Sequence, residues 1–245
     1  MRRAVFAACL IALASVAVAG SAAPSLSTSG AVGAPSLGAS AATATSGISG
    51  TAGATAAPPQ PDYAFCTVCH GAHGNGNSAI NAPKIAGIEP WYLKQQLASF
   101  RAGVRGTKST DEPGMEMQPV GVQLDDAAID AVAAYVAKFE PAKPPVTVQG
   151  DAKRGRALYA TCSGCHGSTA EGNSALKAPA LAGQTDWYLV RQLERFRSGE
   201  RGFAADDTPG TTMRAAAGVL PDASAVKDLV AYINTLSAKH LREKT

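Results

Sequence analysis

Cys66-Thr67-Val68-Cys69-His70 returns 96 positions later as Cys162-Ser163-Gly164-Cys165-His166. Cys-x-x-Cys-His is the attachment pattern of a c-type haem, so a chain that carries it twice must build a shell around each motif. Two residues between the cysteines keep both sulfurs on one edge of the macrocycle, within reach of its two vinyl groups. The histidine that follows is then placed as one axial ligand to iron. A four-cysteine zinc cage is a weaker reading, because a zinc knuckle needs no histidine after each pair. A thioredoxin-like motif would require a βαβ pattern, and none surrounds either pair. Of five cysteines, four lie in the motifs and Cys9 lies in the N-terminal apolar segment, so none remains for a structural disulfide.

The motifs belong to a longer duplication. Shifted by 96, Cys66–Gly106 and Cys162–Gly202 agree at 22 of 41 positions without a gap. Gly76-Asn77-Ser78-Ala79, Ala82-Pro83, Trp91-Tyr92-Leu93 and Arg105-Gly106 all recur. This is one unit used twice, whereas a solenoid has shorter and more numerous repeats.

Residues 1–19 read as an export signal. Arg2 and Arg3 form a basic start, Ala4–Val16 is apolar, and Ala17-Val18-Ala19 fits a cleavage site. The apolar run from Ala4 to Ala19 is 16 residues, short of the roughly 20 that span a bilayer. Residues 20–61 carry no charge and are rich in Ala, Ser, Gly, Thr and Pro, the composition of a flexible tether. The expected order is signal 1–19, tether 20–61, first domain 62–140, a proline-stiffened linker 141–149 and second domain 150–240. Residues 62–144 hold 7 basic and 9 acidic side chains, net −2; residues 150–245 hold 13 and 10, net +3. That asymmetry is too small for nucleic-acid binding.

The periodicity predicts an all-α chain of two tandem, pseudo-symmetric domains. Asp151 caps a short helix to Ala160 ahead of the second motif. Leu93, Leu97 and Phe100 mark a helix over 91–102, and Leu189, Leu193 and Phe196 its twin over 187–198. Closing helices begin near Asp125 and Asp222. The first domain lacks a full opening helix, because Thr55–Asp62 contains Pro58, Pro59 and Pro61. Its haem is expected to be less covered on that side.

Methionine is the better candidate for the second axial position. His73 is too close to His70 to reach the opposite face, and His240 lies near the C-terminus. Met117 follows Cys66 by 51 positions, and Met213 follows Cys162 by 51. Each is expected in a loop before a closing helix. The frame Asp111-x-Pro113-Gly114 recurs as Asp207-x-Pro209-Gly210, while Met115 has threonine as its counterpart. Methionine can also be core filler, but a matched offset from two motifs favours ligation. His70 with Met117 and His166 with Met213 would fill both axial sites, as in an electron carrier.

On these residues the chain resembles the dihaem class I c-type cytochromes, specifically the bacterial cytochrome c-four family. The matching features are both Cys-x-x-Cys-His-Gly motifs, Gly76-Asn77 and Gly172-Asn173, and Ala82–Gly87 with Ala178–Gly183. The two Trp-Tyr-Leu-x-x-Gln-Leu helices and the two methionines fit as well. The resemblance implies two cytochrome c domains with haem c bound at Cys66, Cys69, Cys162 and Cys165. It also implies that Pro83 and Pro179 carbonyls accept hydrogen bonds from the ligating imidazoles. Trp91, Trp187, Arg105 and Arg201 are candidates for contact with haem propionates, and plain core packing is an equal reading for the tryptophans.

The expected function is periplasmic electron transfer without catalysis. A dehydrogenase or quinol-oxidising complex would be the donor and a terminal oxidase or reductase the acceptor. The N-terminus or a partner would supply any membrane association. The alternatives are the cytochrome subunit of a dehydrogenase assembly and a dihaem enzyme such as a peroxidase. The enzyme needs an open haem, and His73 and Glu116 are the only acid–base candidates near a motif or ligand in the first domain.

Overall fold

The computed structural model describes residues 61–243, with side chains from 63 to 237. The expected signal, nearly all of the tether and the side chain of His240 lie outside the described residues. Within them the chain is all-helical. No strand forms, and two isolated bridges join Asn77 to Ala82 and Asn173 to Ala178. No described helix is long and apolar enough to cross a membrane.

The first half opens with α1 (Pro61–Ala64) and α2 (Thr67–His70). Proline is tolerated at a helix start because its missing N–H would have no intrahelical partner there. The short opening still delivers Tyr63, which is fully buried. Next come α3 (Pro90–Arg101), α4 (Glu112–Val122) and α5 (Asp126–Val136). In α5 the Asp125 carboxylate accepts from the Ala128 N–H at 2.8 Å and fixes the start. Ile129, Val132, Ala133 and Val136 then bury one face against Leu93 and Leu97 of α3.

The second half repeats this plan with one difference at its start. Helix α6 (Ala152–His166) runs from its Asp151 cap straight through the attachment motif, so helix and motif are one element. It packs on the closing helix α9 (Ala223–Glu243), where Gly155 meets the Asp228 backbone so closely that a Cβ would clash. Between them lie α7 (Asp186–Ser198) and α8 (Thr208–Ala217). Leu189 and Val226, Leu229, Val230 and Ile233 form the core.

Met117 and Met213 lie in α4 and α8, not in loops as the sequence suggested. The cause is local. Asp111 and Asp207 each accept from the N–H three residues on, Gly114 and Gly210, both at 3.0 Å. Pro113 and Pro209 sit in the first turn, where a preset φ favours helix. Asp-x-Pro-Gly is therefore a helix start here.

Residues 140–150 are irregular but tied down. The Asp186 carboxylate accepts from Thr147 N at 2.6 Å, Val148 N at 2.8 Å and Thr147 Oγ1 at 2.6 Å.

Candidate haem sites and the interface between them

Each attachment histidine is buried and aimed. His70 is 7% exposed and His166 5%. His70 Nδ1 lies 2.8 Å from the Pro83 carbonyl oxygen, and His166 Nδ1 lies 2.8 Å from that of Pro179. A carbonyl only accepts, so Nδ1 must carry the proton and donate. The Nε2 lone pair is then left for a metal. Burial pulls both imidazoles below their ordinary pKa, and the carbonyl acceptors oppose it.

Short-range backbone bonds hold the proline beside the histidine. Gly76 N donates to the His70 carbonyl at 2.9 Å, and Asn77 and Ala82 exchange backbone bonds at 2.8 and 3.0 Å. Gly172, Asn173 and Ala178 repeat the pattern. Gly76 has φ +78° and lies against the Pro83–Lys84 backbone, where a Cβ would come within 2.6 Å. The recurring Gly-Asn and Ala-Pro pairs are two ends of one clamp.

Sequence reasoning passed over Tyr63 and Tyr159, which sit at the same offset before their motifs. Their hydroxyls donate to the Gly71 and Gly167 carbonyls at 2.8 and 2.7 Å. Burial raises both phenols above their ordinary pKa.

In the second half a cavity of about 410 Å³ is lined by Cys162, Cys165, His166, Pro179 and Met213. Met213 is half-buried on its wall, and in the first half Met117 is half-buried against the core. Cys66 and Cys162 are half-buried, and Cys69 and Cys165 reach the surface. Burial pushes the Cys162 thiol up. Met115 is exposed. His73 packs edge-on to Phe139, and Glu116 is exposed. Among the described residues no group of three or more His, Cys, Asp or Glu side chains is placed to hold a metal ion, so the two Cys pairs do not form a zinc cage.

The cavity extends to the contact between the halves. Tyr92 and Gln96 lie one turn apart on α3, on the flank beside its core residues; Tyr188 and Gln192 do the same on α7. Arg105 donates to Gln96 Oε1 at 2.7 Å and Gln192 Oε1 at 3.0 Å. Arg201 donates to Gln192 Oε1 at 2.7 Å and Gln96 Oε1 at 3.0 Å. Both arginines are 8% exposed, and among the described residues neither has a carboxylate partner. Buried Arg105 Nε has no hydrogen-bond partner. Burial and the Arg105 charge pull Arg201 below the ordinary guanidinium range. Buried cations with an unsatisfied donor at the cavity wall fit the carboxylates that haem carries.

The tryptophans are placed differently from the arginines. Trp187 lies outside the cavity lining, with Arg191 over its ring at 5.5 Å, and Trp91 has Lys177 Nζ at 5.9 Å. Their neighbours Tyr92 and Tyr188 line the cavity instead. The signal was present, since Trp-Tyr-Leu-x-x-Gln-Leu recurs whole, but it did not say which aromatic faces inward.

The ion pair across the interface has no twin. Arg195 of α7 forms an ion pair with Asp111, the fully buried cap of α4. The counterpart of Arg195 is Ser99, and Asp207 is only half-buried.

The cytochrome c family model matches residues 61–140 and 152–237. A thiosulfate dehydrogenase electron acceptor from Stutzerimonas stutzeri is 34% identical over 163 residues, 61% of this chain and 71% of that protein. Cytochrome c4 from Azotobacter vinelandii is 32% identical over 186 residues, 71% of this chain and 84% of the relative. The solved structure of Acidithiobacillus ferrooxidans cytochrome c4 superposes with a TM-score of 0.58 at 29% identity, covering 71% of this chain and 99% of that one. The chain therefore belongs to the cytochrome c family, within its dihaem cytochrome c4 group, and carries two covalently bound haem c groups.

Proposed function

We propose that this protein is an electron carrier of the periplasm, with His70 and Met117 as axial ligands of the first haem iron and His166 and Met213 of the second. The observation that carries the reading is the pair of 2.8 Å bonds from imidazole Nδ1 to proline carbonyl. Each fixes the tautomer and leaves Nε2 free to hold a metal, in a pocket that in the second half is also lined by Met213. Bound haem supplies one-electron exchange at iron.

The protein's own residues do the rest. Cys66, Cys69, Cys162 and Cys165 anchor the groups, and Tyr63 and Tyr159 lock the turn after each motif. The apolar cores keep water away. Thioether ligation favours ferrous iron and raises the potential. Histidine and methionine holding both sides of each iron would leave no coordination site for substrate, which would separate a carrier from an enzyme. Arg105 and Arg201 would hold the propionates at the interface, with Gln96 and Gln192 orienting the guanidiniums. Propionates held by these two arginines would lie at the contact between the halves, where bound haem would exchange electrons within the pair.

The donor is a dehydrogenase or quinol-oxidising complex and the acceptor a terminal oxidase or reductase. The relative named as an electron acceptor of thiosulfate dehydrogenase supports the donor side. The export signal read at residues 1–19 supports the compartment. The test is a redox titration of the holoprotein with exposure of its reduced form to carbon monoxide. A carrier releases two electrons per chain and binds no carbon monoxide. One haem that takes up the gas stoichiometrically would refute the closed-site reading.

A further inference from the structure

The imidazole of His166 is bonded to one end of a peptide group whose other end is bonded to a carboxylate. His166 Nδ1 donates to the Pro179 carbonyl at 2.8 Å. The N–H of that same peptide unit belongs to Ala180, and it donates to Glu89 Oε1 at 2.8 Å. Glu89 comes from the first half, at the residue before α3, and is half-buried. Hydrogen bonds in series polarise one another, and an anionic acceptor strengthens the series. A carboxylate on the amide N–H therefore makes the carbonyl a better acceptor. The imidazole in turn becomes a more basic ligand through Nε2.

The first half has no such series. The counterpart of Glu89 is Thr185, which has no carboxylate, and its hydroxyl is tied to Gln184 Oε1 at 3.1 Å. The contact from the second half is Gln184 Nε2 to the Lys84 carbonyl at 3.0 Å, a neutral donor on the next peptide unit. The two proline–histidine bonds have the same length, and only one is backed by a negative charge.

We infer that Glu89 is a tuning residue for the second haem, acting across the interface through the Pro179–Ala180 peptide to stabilise ferric iron and hold that haem's potential down. The inference rests on His166 being an axial ligand. The step concerned is one-electron reduction of iron, with the Nδ1 proton staying on the imidazole. The charge of Glu89 thus biases an electron shared by the pair toward the first haem.

The test is spectroelectrochemical titration of the full holoprotein carrying Glu89→Gln. Glutamine keeps an acceptor oxygen for the Ala180 N–H and removes the charge. One couple should rise, with the ratio of reduced to oxidised haem at fixed ambient potential increasing about tenfold, ~59 mV for a one-electron couple. The other couple should stay in place. Glu89→Ala removes the acceptor as well and should shift the same couple at least as far. Met213→Ala identifies the second haem by loss of its methionine-to-iron band. Both couples unmoved in Glu89→Gln and Glu89→Ala, or both moved equally, would overturn the relay. A shift in Glu89→Gln at the haem that keeps its band in Met213→Ala would place the effect at the first haem and overturn the inference, whereas no band lost in Met213→Ala would refute the methionine assignment alone.

Discussion

Replacing Arg195 with methionine should destabilise the holoprotein by about 3 kcal/mol, because it strands a buried carboxylate. The side chain of Asp111 is 0% exposed and that of Arg195 10%. Breaking a pair this deep by removing one partner costs about 3–5 kcal/mol, since the charge left behind has neither water nor counter-ion. Asp111 keeps the Gly114 N–H at 3.0 Å, which argues for the lower end. The control is Lys94→Met. Its pair with Asp130 is 2.6 Å long but 43% and 64% exposed, so its loss should change stability by less than about 1 kcal/mol. Guanidinium titrations followed at the Soret band give both values. A double-mutant cycle with Asp111→Asn isolates the pair, since asparagine can cap α4 without a buried charge. Because α4 carries Met117, the first haem should lose its methionine band at lower denaturant than the second. An Arg195→Met protein within about 0.5 kcal/mol of the Lys94→Met protein would refute the reasoning that burial, and not bond length, sets the worth of this pair.

Asp186 should give the protein an acid-sensitive component of stability. Burial raises its pKa, the Thr147, Val148 and Trp187 donors lower it, and the net shift is downward. A carboxylate depressed in the folded state stabilises above its ordinary value of about 4, and that contribution is lost as pH falls through the folded value. Asp186→Asn should remove this slope from a stability profile between about pH 2 and 5 and lower stability at pH 7 by about 1–3 kcal/mol. A slope unchanged in the variant would exclude Asp186 as its source. Gly172→Ala places a Cβ 2.5 Å from Ala180 N at φ +83°, so it should shift the His166–Pro179 clamp and broaden one haem's spectrum while leaving the other sharp. Equal broadening of both would contradict a local clamp. Tyr159→Phe leaves the Gly167 carbonyl without its 2.7 Å donor and should lower stability by about 1 kcal/mol in thermal unfolding; no change would mean that water replaces the hydroxyl.

The helical cores were legible because Leu93, Leu97 and Phe100, or Ile129, Val132 and Val136, recur at helical spacing and meet one another. The attachment residues were legible because covalent chemistry needs a fixed local pattern. What escaped had no periodicity to announce it. The segments with Asp-x-Pro-Gly read as loops before the closing helices, and the aspartate cap over Gly114 and Gly210 makes each a helix start. Tyr188 and Trp187 are adjacent and both aromatic, so facing inward is a matter of helix rotation against a partner surface. Arg195 with Asp111 and Glu89 with Ala180 join the two halves through Arg195, Glu89 and Ala180, positions the duplication does not share. A sequence comparison of the halves therefore registers them only as mismatches.

The most direct test of the central claim is the near-infrared methionine-to-ferric-iron band of the mature holoprotein, normalised to haem per chain. Two haems per chain should give a band of two methionine-ligated irons. Met117→Ala and Met213→Ala should each halve it, and the double variant should abolish it. A wild-type band worth one iron or none, or a band that survives either substitution whole, would contradict the account and open a coordination site for small-ligand chemistry.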